Sequence, residues 1–317
     1  MSSSEARNLE NSCPIIAVVG ATGTGKSKLA VLLANQLEGE GKKAEIINAD
    51  AMQLYRGMDI GTAKLTVAER LGVPHHLLDV WEVTKAASVA EYQILARAAI
   101  NEVQSRAVIP ILVGGSGLYV SSVVYDFDFP GTDPKIRAEL EIRAEIEGRE
   151  ILVAELAKKD PLAAAAIDPS NLRRVIRALE VIRLTGKPFK FGLDAQRRAW
   201  RPSFLFGLRM TREKLFKDLN SRVDDMWNSR FIEEVENLKL KGLEKGVTAA
   251  RAIGYSQALE FLSGKTSRTA AIEDTKICTR HYSRRQISWF GRDPRITWVE
   301  SGGTDNVRKI LEILTVH

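Results

Sequence analysis

The stretch VVGATGTGKSKLA, from Val18 to Ala30, decides the fold of this chain. Its central part, Gly20-Ala21-Thr22-Gly23-Thr24-Gly25-Lys26-Ser27, matches the P-loop pattern and stands between an apolar run and an amphipathic helical segment. In such a loop backbone N–H groups converge on phosphate oxygens at a helix N-terminus, and the lysine adds a positive charge. Residues 20–27 are therefore predicted to bind phosphate, with the Ser27 hydroxyl as the ligand of Mg²⁺.

Apolar runs that alternate with helical segments extend this pattern along the chain. The predicted strands are Ile15–Val19, Glu45–Asn48, Leu77–Val80, Ile109–Val113 and Phe204–Leu208. Leu29, Leu33 and Leu37 mark the first helix, and Gly39 ends it. The order predicts an α/β, P-loop NTPase-like core with a parallel sheet flanked by helices. Ligands gather at the carboxyl ends of such strands, which here read Gly20, Asp50, Asp79 and Gly114.

Charged helices replace this alternation between about Asp126 and Pro202. We predict a helical insertion domain at 127–202 within a core made of 13–126 and 203–317, whose last part is helical from Arg212 to about Phe290. Within the insertion, Glu139 and Arg143 have the spacing of a helical ion pair. The segment DPSNLRRVIRALEVIRLTGKP predicts a helix capped by Asp168, with Pro169 in the first turn and Gly186 and Pro188 at its end.

Composition narrows the class of protein. With 317 residues and 44% hydrophobic content the chain can bury a sizeable core. Cys13 and Cys278 are its only cysteines, which argues against a disulfide framework or a cysteine metal site. The start MSSSEARNLENSC lacks the apolar run of a signal peptide, and no long apolar run follows. We expect a cytoplasmic protein without membrane contact, acting as a monomer. His75-His76 is not expected to bind metal, because neighbours on a strand point apart.

The positive charge is concentrated. The net charge is +6, yet Asn171 to Arg201 alone hold nine Lys or Arg against two acids. A second stretch interleaves Arg280, Arg284 and Arg285 with aromatic side chains, namely His281, Tyr282, Trp289 and Phe290. Arginines and aromatics can grip nucleic-acid phosphates and stack on bases. The alternative for each stretch is a solvated helix face with buried aromatics; together with the phosphate loop, the two stretches favour a nucleic-acid partner.

Two strand ends leave alternatives open. Asp50 could help to hold Mg²⁺, act as a general base, or merely cap a turn. Gly114-Gly115 stands where an acidic residue often ends the strand in a P-loop motor protein. These glycines permit close approach of a ligand or of another backbone, and a plain turn explains them equally well.

Eight segments, in order, resemble the tRNA dimethylallyltransferases, also called tRNA isopentenyltransferases. They are GATGTGKS, NADAMQLYRGMDIGTAK, PHHLLDV, GGSGLY, DPSNLRRVIRALEV, TGKP, AIGY and TRHYSRRQISWF, and the resemblance runs from about Pro14 to Trp298. It implies transfer of a dimethylallyl group from dimethylallyl diphosphate to the exocyclic N6 amine of the adenosine 3′-adjacent to the anticodon in tRNA. The products are N6-isopentenyladenosine and diphosphate.

The resemblance also implies roles for individual residues. The P-loop would hold the donor diphosphate, with Mg²⁺ as cofactor; Asp50 would be the general base, and Thr22, Lys26 and Arg222 would assist the leaving group. The insertion domain would grip the anticodon stem-loop. The tRNA-binding residues implied are Asp50, Ala51, Met52, Gln53, Ser116, Arg137, Arg173, Arg174, Arg177, Arg280 and Arg284.

This sequence departs from the family pattern at three points. Ala51 and Ser116 stand where the family often has Ser and Thr, and NSRFIEEV lacks a usual glycine. Three other functions share some of these features. An isoprenyl transferase acting on free adenine nucleotides would have no use for the basic insertion. An ATP-dependent kinase or RNA motor would not need Gly-Gly at the strand end, and an RNA-binding module would not need Asp50 for its effect.

Overall fold

A six-stranded parallel sheet forms the centre of the structure, a computed structural model that describes residues 13–189 and 198–315. The strand order is β3-β2-β4-β1-β5-β6, and every neighbouring pair is parallel. The strands are β1 Ile15–Gly20, β2 Ala44–Asn48, β3 His75–His76, β4 Ile109–Gly114, β5 Ser203–Arg209 and β6 Ile296–Glu300. Helices flank this sheet, so the predicted P-loop NTPase-like α/β fold is confirmed.

The chain divides into two compact units, Met1–Tyr125 with Ala199–His317, and Asp126–Arg198. The helices of the first unit are α1 Lys26–Gly39, α2 Val89–Ser105, α3 Gly117–Val124, α8 Arg212–Asn228, α9 Phe231–Leu240, α10 Tyr255–Leu262, α11 Arg268–Phe290 and α12 Asn306–Thr315. Two 3₁₀ turns lie at Leu243–Lys245 and Ala249–Arg251. The second unit holds α4 Pro134–Glu147, α5 Arg149–Lys159, α6 Pro161–Ala166 and α7 Leu172–Thr185.

The packing of α1 on the sheet fixes the P-loop, which connects β1 to α1. All of β1 is buried, and Leu29, Leu33 and Leu37 of α1 are at most 7% exposed. Their side chains share a core cluster with apolar residues of β1, β2, β4 and β5. Burying a leucine side chain contributes about 1.5–3 kcal/mol, so this helix face anchors the loop firmly.

Two predictions about strands are wrong. Leu77–Val80 is not a strand: the ladder covers only His75–His76, because Leu77 and Asp79 adopt positive φ values of 61° and 57°. The edge strand Ile296–Glu300 was missed. Of its five residues ITWVE only Ile296 and Val299 are buried, so this short stretch gives little apolar signal.

The second unit has its own apolar core. Leu140 of α4, Leu152 and Leu156 of α5 and Leu179 of α7 are buried together there. Of the basic stretch 171–201, Lys190 and Arg197 lie outside the described residues, as does the N-terminal segment considered for a signal peptide, apart from Cys13.

Two local predictions in this unit need correction. Helix α7 begins at Leu172 and is capped by Asn171, whose side chain accepts from Arg174 N; Asp168 instead accepts from Ser170. Arg143 does not pair with Glu139. It pairs with Glu147 and Glu155, because α5 packs against α4, while Glu139 receives Arg183 of α7.

Within residues 13–189 and 198–315 we find no helix long and apolar enough to cross a bilayer.

Candidate active site

The P-loop connects β1 to α1 in a conformation that its glycines permit. Gly20 has a φ of 135°, and a Cβ there would lie 2.6 Å from the Leu208 carbonyl oxygen of β5. Gly25 caps α1 with a φ of 84° and offers no side-chain hydrogen bond. The first N–H groups of α1 therefore remain available to an anion at the positive end of the helix dipole.

A cavity of about 230 Å³ opens at this loop, at the carboxyl ends of β2 and β4. Of the eight loop residues, Thr22, Gly23, Gly25, Lys26 and Ser27 line it, and Gly20, Ala21 and Thr24 do not. The opposite walls include Asp50, Gln53, Gly114, Gly115 and Arg222. The structure thus brings the loop, the candidate base and the distal arginine into one cavity. Asp79, the other predicted acid, is instead ion-paired with Lys64.

Three cations, Lys26, Lys28 and Arg222, line this cavity together with one carboxylate, that of Asp50. Lys26 Nζ donates to the Ala21 carbonyl oxygen at 2.7 Å, and burial lowers the pKa of Lys26 to about 8 against the attraction of Asp50. Arg222 donates to Thr22 Oγ1 at 3.1 Å. Burial also lowers the pKa of Arg222, and Asp50 again opposes this. The excess of positive charge suits a ligand with several negative charges.

The carboxylate of Asp50 is held by a short turn after β2. Its Oδ1 accepts from Met52 N at 3.0 Å, and its own N–H donates to Asn48 Oδ1 at 3.0 Å. Within the described ranges, Oδ2 has no hydrogen-bond partner. The turn-forming and functional interpretations of Asp50 are therefore compatible, since one oxygen serves the turn and the other stays available.

Residues that the sequence did not single out support this turn. Asn48 donates from Nδ2 to the carbonyl oxygens of Asp50 and Leu77 at 3.1 and 3.0 Å. The Asn48 carbonyl accepts from the Tyr92 hydroxyl at 2.8 Å, and burial raises the pKa of Tyr92 well above its usual value. These bonds fix the direction of the chain at Asp50.

Ser116, a predicted tRNA contact, is buried beside the same turn. Its Oγ accepts from Ala51 N at 3.2 Å and lies 3.5 Å from the Tyr282 hydroxyl. Burial raises the pKa of Tyr282 to about 12, and the charge of Asp50 adds to the effect. Ala51 and Met52 are half-buried next to Asp50.

The glycines after β4 admit protein atoms at close range. A Cβ at Gly114 would lie 2.2 Å from the Ala49 carbonyl oxygen, and one at Gly115 would lie 2.4 Å from Gln286 Nε2. Gln286, on α11, accepts from Thr22 N and donates to the Gly115 carbonyl oxygen, both at 2.8 Å. The close-approach interpretation of the Gly-Gly pair is therefore right, and what approaches is backbone and a glutamine amide.

Tyr282 and Trp289 of α11 are half-buried and Phe290 is buried, whereas His281 is exposed. Their predicted stacking on bases stays a prediction. Trp289 Nε1 donates to Ser121 Oγ at 3.2 Å, Phe290 is 3% exposed, and Tyr282 lies beside Ser116. Arg280 is half-buried and donates to Asn220 Oδ1 at 2.6 Å, whereas Arg284 is exposed.

The segment after Asp50 is held in place by a half-buried carboxylate. Glu234 of α9 accepts from the N–H groups of Asp59, Ile60 and Gly61 at 2.7–3.3 Å and from the Tyr255 hydroxyl at 2.6 Å. This arrangement places Thr62 in the cavity wall, where its carbonyl oxygen accepts from Gln53 Nε2 at 3.2 Å. The motifs DIGTAK, EEV and AIGY therefore meet through Glu234.

The two adjacent histidines have separate surroundings. His75 lines the cavity, and burial lowers its pKa. His76, Glu45 and Glu102 lie close enough together to hold a metal ion. Arg106, however, forms ion pairs with both carboxylates and holds the pKa of Glu45 down to about 2. Glu45, Glu102 and Arg106 therefore form an ion-pair network, and the absence of metal binding by the two histidines stays a prediction.

The predicted tRNA-binding arginines of the second unit fall into two kinds. Arg137 and Arg177 bond to Glu180, which is fully buried and also accepts from Asp133 N. Burial opposes ionisation of Glu180, but these hydrogen bonds lower its pKa. Arg173 and Arg174 are exposed on α7.

A P-loop that opens on a cavity shared with a carboxylate is the arrangement of an enzyme that works on a phosphorylated compound. Comparison with known proteins gives the particular family: a model described as IPP transferase matches residues 53–293. The chain belongs to the IPP transferase family.

Close relatives carry one name. A tRNA dimethylallyltransferase of Clavibacter sepedonicus is 54% identical over 88% of this chain and 91% of its own length. One of Thermobifida fusca is 51% identical over 96% and 95%.

Solved structures agree in fold. The full-length tRNA isopentenylpyrophosphate transferase of Bacillus halodurans is 40% identical and superposes with a TM-score of 0.67 over 96% of this chain and 95% of its own. A eukaryotic dimethylallyltransferase acting on tRNA is 26% identical with a TM-score of 0.80 over 95% of this chain and 78% of its own.

Proposed function

We propose that this protein transfers a dimethylallyl group from dimethylallyl diphosphate to the N6 amine of the adenosine 3′-adjacent to the anticodon in tRNA. The observation that carries this function is the cavity shared by the P-loop and Asp50, in a chain whose close relatives are named for this activity. The protein acts in the cytoplasm as a monomer.

The donor diphosphate binds at the P-loop. The N–H groups at the start of α1, the ammonium of Lys26 and the guanidinium of Arg222 neutralise the charge that develops as the carbon–oxygen bond breaks. Thr22, which accepts from Arg222, adds its hydroxyl. The donor set fits Mg²⁺: the half-buried Ser27 hydroxyl lines the cavity, and hydroxyl, carboxylate and diphosphate oxygens are ligands that this ion prefers. Ser27 would hold the ion, which neutralises diphosphate charge when bound.

Asp50 accepts a proton from the adenine amine. The amine nitrogen forms a bond to the allylic carbon, the bond from that carbon to the diphosphate oxygen breaks, and the amine proton passes to Oδ2. An exocyclic adenine amine is a weak nucleophile, so proton removal by a positioned carboxylate is worth about 10²–10⁴ in rate. Oδ1 remains bound to Met52 N and keeps the carboxylate in place.

The acceptor adenine leaves its stack to enter the cavity. Asp50 to Gln53 and Ser116 contact the base, since they lie at or beside the cavity wall. Arg280 and Arg284 of α11 contribute to the same binding. The insertion domain, 127–202, grips the anticodon stem-loop with Arg173 and Arg174 exposed and with Arg137 and Arg177 held by Glu180. Phosphate contacts of this kind make affinity salt-dependent.

Labelled dimethylallyl diphosphate, offered with unmodified tRNA or with AMP, tests the proposal. We expect label to appear in tRNA with release of diphosphate. Preference for AMP would show a nucleotide prenyltransferase. RNA-stimulated ATP turnover without transfer would show a motor or kinase. Asp50→Asn should keep tRNA affinity within a few-fold and lose transfer; near-normal turnover in this variant would remove the base assignment.

A further inference from the structure

Two exposed arginines converge on one aromatic ring outside the cavity. The guanidinium carbon of Arg212 lies 5.2 Å from the centroid of the Phe216 ring, and that of Arg284 lies 5.6 Å from it. Arg212 and Phe216 belong to α8, and Arg284 belongs to α11. None of the three lines the cavity. We call these residues the Phe216 cluster.

The two guanidiniums are charged and not neutralised by their surroundings. Neither has a side-chain hydrogen bond or an ion pair within residues 13–189 and 198–315, although most other arginines there have a carboxylate or carbonyl partner. Arg212 is also the first residue of α8, where the helix dipole disfavours a cation. Its charge therefore does not serve the stability of its own helix.

The ring holds these charges in place without using their hydrogen-bond donors. A cation over an aromatic face gains about 0.5–1 kcal/mol at an exposed site. The N–H groups of both guanidiniums stay available, and an arginine fork matches two oxygens of one phosphate. Preordered side chains lose less entropy on binding than mobile ones.

The cluster is anchored to the phosphate loop. Phe216 packs against a small apolar group made of Ala21, Leu215 and Leu219, and Ala21 belongs to the P-loop itself. A Cβ at Gly23 would lie 2.7 Å from Leu219 Cδ2, which shows how closely α8 supports the loop. The paired guanidiniums thus stand near the loop but outside the cavity that takes the donor.

We propose that the Phe216 cluster is a phosphate clamp for the backbone of the acceptor RNA, in which Phe216 orients Arg212 and Arg284. The proposal rests on the proposed function, because it names a contact of the same substrate. The clamp binds RNA backbone and not the donor diphosphate, since its residues lie outside the cavity whereas Lys26 and Arg222 lie within it.

The test measures binding of unmodified tRNA over a series of salt concentrations. Each phosphate contact contributes about 0.7–0.9 to the slope of log K against log salt. Arg212→Gln and Arg284→Gln should each lower the slope by about this amount, and the double variant by about twice as much. The KM for dimethylallyl diphosphate should stay within about twofold of wild type. Phe216→Leu keeps both charges and should weaken binding with little change of slope.

Arg292→Gln is the matched control. Arg292 is also exposed and lies just before β6, toward the amino-terminal edge of the sheet, so the same loss of charge there should leave the slope unchanged. Thermal unfolding of each variant shows whether it is folded. An unchanged slope in the double variant would overturn the clamp, and so would a raised donor KM with unchanged tRNA binding. If wild-type protein itself fails to bind tRNA, the proposed function fails.

Discussion

Replacing Gln286 by Met is expected to damage catalysis more than its effect on stability would suggest. The substitution keeps a side chain of similar length and removes both hydrogen bonds. Thr22 N then loses its acceptor and the Gly115 carbonyl oxygen loses its donor. Thr22 belongs to the P-loop, and its hydroxyl is the partner of Arg222.

The magnitude follows from these two bonds. Leaving a buried donor or acceptor unsatisfied costs about 1–3 kcal/mol. Gly115 is buried and Thr22 is half-buried, so we expect the free energy of unfolding to fall by about 2–4 kcal/mol. Misplacing a catalytic group by about 1 Å can cost about 10²-fold in rate. We expect the kcat of transfer to fall about tenfold to a hundredfold below that of the wild type.

Gln104→Met supplies the control. Gln104 also bridges two chain segments, donating to the Cys13 carbonyl and accepting from Arg201, at the amino-terminal edge of β1 and β5. It should lose stability but keep kcat within about twofold. Urea unfolding and steady-state transfer assays below the melting range separate the two effects. Equal loss of kcat in both variants, or wild-type kcat in Gln286→Met, would refute the positioning role of Gln286.

Three further predictions follow from single residues. Burial lowers the pKa of Lys26 to about 8, so the ammonium is charged below that pH. The dissociation constant of the donor should therefore rise as the pH increases through about 8. Calorimetry should show no such rise for Lys26→Arg. Glu180→Gln weakens the ion pairs that hold Arg137 and Arg177. It should lower the free energy of unfolding of Asp126–Arg198 by about 1–3 kcal/mol, measured as faster hydrogen exchange in α7. Unchanged exchange would contradict this role. Gly114→Ala places a Cβ 2.2 Å from the Ala49 carbonyl oxygen. It should therefore lower both the melting temperature and the transfer rate. Wild-type values of both would disprove that contact.

One prediction from the sequence failed because the partner comes from another element. The spacing of Glu139 and Arg143 is that of an ion pair along one helix, but Arg143 turns to Glu155 of the neighbouring helix. Trp289 of α11 likewise donates to Ser121 of α3, a contact that no spacing in the sequence shows. Local spacing states which contacts are possible, and packing against other elements selects among them.

The P-loop and its flanking strand and helix could be read from the sequence alone, because backbone conformation over eight residues depends on glycines and on the apolar faces beside them. The parallel sheet likewise followed from the alternation of apolar runs and helices, but the order of its strands did not. Only the tertiary structure showed that Gln286 holds Thr22 from 264 positions away and that Glu234 holds the loop at Ile60 from 174 positions away. Such bonds have no sequence spacing to detect, because the folding of the whole chain brings their two ends together.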